Sequence, residues 1–109
     1  MPCKVRGFSP FLRGVAGRSV DRAMPSYLID AYLPRSRAGE LNELITRLRA
    51  AAEQLTAEGM PVRYVRSSFL PTDELFLHLL EADSAEAAGE ATRRAGIAPE
   101  RIVEAVPVQ

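Results

Sequence analysis

The chain has one cysteine, one histidine and no tryptophan in 109 residues. A lone cysteine cannot close an internal disulfide, so nothing calls for an oxidising compartment, and a cytoplasmic location is expected. No stretch approaches the roughly 20 apolar residues of a membrane-crossing helix. Charge of one sign is lacking too. Fourteen basic residues balance fourteen acidic ones, which leaves no net field to draw in nucleic acid or an anionic membrane surface. Arg47 and Arg49 have no aromatics among them, so they do not read as a nucleic-acid surface. There is no HExxH, H-x-H or cysteine cluster. Gly7, Gly14 and Gly17 are not set between a strand and a helix as a phosphate loop requires. Ser67 and Ser68 lack the G-x-S-x-G elbow of a nucleophile. No catalytic residue is assigned.

What is present fits one domain of ordinary size, with 47% apolar and 26% charged residues. Residues 1–23, "MPCKVRGFSPFLRGVAGRSVDRA", show no helical or strand period, and Cys3 lies there. This segment is expected to be a disordered or loosely ordered extension, an upstream start being the simplest account of it. Residues 24–109 read as the folded domain.

The domain spells β-α-β-β-α-β. Strands are expected at 26–33, 62–69, 75–82 and 101–108, and helices at about 36–58 and from Asp83 or Ser84 to Gly96. In the first helix Leu41, Leu44, Ile45, Leu48, Ala52 and Leu55 keep the i, i+3, i+4, i+7 spacing of a core-facing stripe. Gly59 ends that helix and Pro61 prevents its resumption. The second helix presents a small stripe of Ala85, Ala88, Ala91 and Ala95. This element order predicts an α+β, ferredoxin-like split βαβ sandwich with a four-stranded antiparallel sheet.

Alternation divides each strand between two faces. We assign Tyr27, Ile29, Ala31, Val65, Ser67, Phe69, Leu75, Leu77, Leu79, Val103 and Ala105 to the face under the helices. The open face then carries Leu28, Asp30, Tyr32, Val62, Tyr64, Arg66, Ser68, Phe76, His78, Leu80, Ile102, Glu104 and Val106. So apolar an open face is rare on a monomer, and it predicts a homodimer closing face to face into a dimeric α+β barrel. His78, the chain's one imidazole, would look into the enclosed cavity.

The stretches "VRYVRSSFLPTDELFLHLLEADSAE" and "GIAPERIVEAV" resemble a family of small ferredoxin-like domains of unknown function, some members of which are labelled nickel-binding protein. The shared pattern spans residues 26–106. It includes Tyr27, Gly59, Tyr64, Ser68, Pro71, Glu74, Glu81, Ala82 and "RIVE" at 101–104; residues 1–23 have no counterpart in it. The resemblance implies dimers of the barrel type and nickel as the metal.

Two accounts of the cavity follow. In the first, the protein is a small ligand- or metal-binding module, not an enzyme, with His78, Glu104 and Asp30 as ligands to a divalent ion and with Tyr64, Arg66 and Ser68 lining the cavity. Imidazole and carboxylate oxygens suit nickel, zinc and similar ions. Without a metal, His78 is an ordinary histidine hydrogen-bonded to Tyr64, Glu104 or Ser68. In the second account, the dimer is a cofactor-independent enzyme of the oxygenase or isomerase type, supported by fold analogy alone.

Overall fold

The computed structural model describes residues 24–108; the expectations for residues 1–23, Cys3 included, lie outside them. Strand β1 spans Ser26–Tyr32 and stops at the approach to Pro34, whose ring removes a ladder donor. A 3₁₀ segment, Arg35–Glu40, leads into helix α1, Leu41–Ala57. The first helix of the sequence reading is therefore two pieces. Glu74 fixes the entry, its carboxylate accepting the Arg35 backbone N–H at 2.8 Å. Leu44, Leu48, Ala51, Ala52 and Leu55 are buried along α1, where each fully covered leucine contributes about 2 kcal/mol. Gly59, at φ 96°, ends the helix in the left-handed region. Just beyond it the Thr56 hydroxyl donates to the Val62 carbonyl and accepts the Val62 N–H, both at 3.1 Å, pinning the next strand to the helix end.

Strand β2 (Val62–Leu70) and strand β3 (Leu75–Ala82) are joined by a short turn. Helix α2, Ala85–Arg94, begins on Ser84, whose side chain accepts the Ala87 N–H. Strand β4 spans Pro99–Ala105. It starts and ends earlier than the pattern suggested, because Pro107 cannot extend the ladder.

The sheet order is β2-β3-β1-β4 and every neighbouring pair is antiparallel. The chain is thus α+β, with a four-stranded antiparallel sheet and two helices. This order is compatible with the ferredoxin-like split βαβ sandwich. The core under the helices joins Ile29, Ala31, Phe76, Leu80 and Ala82 of the sheet to the buried residues of both helices. In α2 these are mainly Ala87, Ala88, Ala91 and Thr92, while Ala85 is exposed. The small stripe brings α2 very near the sheet. A Cβ added at Gly89 would sit 2.9 Å from Cδ1 of Ile102.

Three of the four strand faces need correction. On β3 it is Phe76, His78, Leu80 and Ala82 that are buried, while Leu75, Leu77, Leu79 and Glu81 are half-buried on the opposite face. The strand is one residue out of phase with the expectation, and so His78 and Leu80 lie under the helices. On β2 the register shifts between Tyr64 and Arg66. This bulge at Val65 reverses the parity within one strand. Val62 and Tyr64 pair with Ala82 and Leu80, and beyond the bulge Ser67 and Phe69 pair with His78 and Phe76. All four therefore face the helices, and Arg66 and Ser68 face away. On β4, Ile102 pairs with Ile29 and Glu104 with Tyr27, whereas Val103 pairs with Leu28. Ile102 and Glu104 accordingly share the helix side, and Val103 belongs to the open face. Only β1 keeps its assigned sides.

Candidate functional site

His78 is 1% exposed. Its Nδ1 lies 2.7 Å from the Oγ of Ser67, and that same oxygen accepts the Tyr64 hydroxyl at 2.8 Å. The Ser67 hydroxyl has two acceptor lone pairs and one proton, so it can hold Nδ1 in either neutral tautomer while it accepts from Tyr64. Nε2 is buried and has no hydrogen-bond partner among the described residues. The Phe76 ring meets the imidazole edge-on with centroids 4.2 Å apart. Burial lowers the His78 pKa from 6.5 to about 4, so the ring is neutral at pH 7. At the outer end of this chain the Arg49 guanidinium stands 4.7 Å from the centre of the Tyr64 ring, a cation–π contact that caps the half-buried phenol. Arg49, Tyr64, Ser67 and His78 thus form a polar line running from the surface of α1 through β2 into the middle of the sheet.

This line answers the question of how a histidine is carried among leucines. It is not the cavity-facing histidine of the sequence reading, and its partner is Ser67 rather than Tyr64, Glu104 or Ser68. Alternation already sets Ser67 under the helices; it was missed as a partner because His78 was assigned to the opposite face, one residue out of phase.

The proposed metal donors are not brought together. Asp30 lies on the open face, with its carboxylate 3.2 Å from Nε of Arg101. Glu104 is exposed at the outer margin of the sheet, on the other side from Asp30. His78 lies beneath the helices, where a second copy against the open face cannot reach it, and its Nε2 is buried. His78, Asp30 and Glu104 do not fit a nickel ion. Among the described residues no group of three or more His, Cys, Asp or Glu side chains could hold a metal.

The open face has its own character. Leu28 of β1, Leu70 of β2, Leu75, Leu77 and Leu79 of β3 and Val103 of β4 run across it. None of these six is buried, and no helix among the described residues covers them. Its charges are largely matched, Arg63 with Glu81 at 2.8 Å and Arg101 with Asp30. Of the three residues expected to line a cavity, Arg66 and Ser68 lie here and Tyr64 does not.

Fold and site together define a small α+β domain with one sheet face packed and one bare. No family model matches the sequence, and no curated protein matches it. The solved structure of SCO4226 from Streptomyces coelicolor A3(2) is similar at a TM-score of 0.64 and 20% identity, over 77% of this chain and 98% of that one. A likeness at that identity shows the fold alone. Among the described residues no helix is long and apolar enough to cross a membrane.

Proposed function

We propose that the chain is a small ligand-binding module that works as a homodimer. Two open faces press together into an α+β barrel, and the ligand occupies the space they enclose. One observation carries this reading: the band of six incompletely buried aliphatic side chains on a sheet face that no helix among the described residues covers. Leaving such a band in water forgoes about 25 cal/mol for each Å² of apolar surface, and apposition of two copies recovers it. The matched pairs Arg63–Glu81 and Arg101–Asp30 let the faces meet without unpaired acids. Nickel, implied by the sequence resemblance, finds no donor set in His78, Asp30 and Glu104, so the ligand is read as an organic molecule. The enzyme alternative needs a reactive group facing the enclosed space; the Tyr64–Ser67–His78 chain lies on the other side of the sheet and does not supply one. Light scattering on the untagged protein tests the reading. A mass twice the 11.9 kDa of the chain supports it, and a monomer at micromolar concentration overturns it.

A further inference from the structure

The bulge at Val65 has a second product besides the inward turn of Ser67. It turns Arg66 outward, onto the open face opposite Leu79, with Ser68 next on the same side opposite Leu77. Bulges that re-aim a side chain occur beside binding sites more often than elsewhere. The other arginines of this face are engaged, Arg63 by Glu81 and Arg101 by Asp30. Arg66 forms no ion pair among the described residues, and both carboxylates that share its face are already taken. If two such faces close on one another, the second copy brings another Arg66 and only acids that are already paired, Glu81 with Arg63 and Asp30 with Arg101. An enclosed guanidinium without a counter-charge is strongly disfavoured.

Resting on the dimeric ligand-binding reading above, we propose that Arg66 and Ser68 form an anion site for an apolar carboxylate. The guanidinium fork takes the two carboxylate oxygens side by side, a geometry that arginine matches and lysine does not. The Ser68 hydroxyl donates a further hydrogen bond. The hydrocarbon part of the ligand lies along Leu77, Leu79 and Leu28. A ligand pocket built of mostly apolar walls with a few placed polar groups is the usual pattern for small molecules.

Calorimetry with octanoate and with octanol, which shares the chain and lacks the charge, tests the site on the full-length protein. Octanoate is expected to bind at least about tenfold more tightly than octanol, the size of one charge-assisted hydrogen bond. Arg66→Gln is expected to remove that difference and leave octanol binding as it was, while Arg63→Gln changes neither. Equal affinity for the two probes, undiminished octanoate affinity in Arg66→Gln, or no octanoate binding in the wild type would each overturn the anion site. Light scattering on the same samples separates the two ideas. A dimer that fails these titrations refutes the carboxylate site alone, and a monomer refutes the closed face on which it rests.

Discussion

The Oγ of Ser67 and the Nδ1 of His78 stand 2.7 Å apart on adjacent strands, and the register pairs the two residues directly across the ladder. Everything polar in the interior of the sheet depends on this contact. It gives His78 one satisfied nitrogen, and it gives the Tyr64 hydroxyl its acceptor.

Removing Ser67 should therefore cost more than its size implies. Ser67→Ala strands the Tyr64 hydroxyl and the buried Nδ1, and should destabilise the protein by about 2 kcal/mol. Ser68→Ala, one residue on and on the outer face, should stay within about 0.5 kcal/mol. Urea denaturation of the pair measures the difference. Equal effects would mean that Ser67 does not link Tyr64 to His78.

The pH dependence of stability has a definite sign. The folded pKa of His78 is depressed to about 4 from 6.5, so the unfolded chain takes up its proton first as pH falls. Stability attributable to this residue is complete above 6.5, declines below it, and is gone by about 4, a loss of about 3 kcal/mol over that interval. Glu40, Glu58 and Glu90 also have lowered pKa values, through hydrogen bonds to Arg37 and Arg94. Their contribution fades only as pH drops below the ordinary carboxylate range, so the interval from 6.5 to about 5 reports on His78. In His78→Leu the slope there should vanish; a slope that persists would assign it to another group.

Substitutions on β3 should separate its two faces. Leu80 is fully buried, and Leu80→Asp places a charge in the helix-packed core, which should abolish folding. Leu77→Asp places the same charge on the open face and should yield a folded monomer. Circular dichroism and light scattering read fold and assembly in turn. A Leu77→Asp protein that remains dimeric would move the interface off this face.

Nickel titrated into untagged protein should give no heat that depends on His78. The imidazole nitrogen left free of Ser67 is buried beneath the helices, and Asp30 is held by Arg101 on the other face. Saturable binding in the wild type that His78→Ala removes would show that the sheet opens enough to expose the ring.

Much of the fold was legible in the sequence because punctuation and periodicity agreed. Pro34, Gly59, Pro61, Ser84 and Gly96 bracket the elements, and the leucine stripe of α1 is unmistakable. Phase was harder to read. The strand Leu75-Phe76-Leu77-His78-Leu79-Leu80 is apolar at both parities, so alternation gives no contrast between faces. The informative pair stands at its end. Glu81 shares the parity of Leu75, Leu77 and Leu79, while Ala82 shares that of His78, and a charge marks the outward side more reliably than one histidine does. On β2 no single parity could have served, since the strand changes sides at Val65. On β4 each parity holds a charged residue, Arg101 or Glu104, and only the close approach of Gly89 to Ile102 fixes which side packs. The candidate site failed with the phase: Arg66 and Ser68 were placed where they lie, and His78, Tyr64 and Glu104 were not.

That close approach has a consequence for how the domain moves. Where α2 meets β4 it offers backbone, not side chain, so adhesion there rests on alanines, one threonine and the end of one isoleucine. A glycine in mid-helix also forfeits about 1 kcal/mol of helix-forming tendency. Strand β4 is an edge, laddered to β1 alone. The domain is therefore mechanically lopsided. One half is anchored by Leu48, Leu55, Phe76 and Leu80; the other is thinly glued and ends in the exposed Val106 and Val108. Fluctuations short of global unfolding concentrate in that thin half. Amide exchange is expected to show this as faster opening of α2 than of α1.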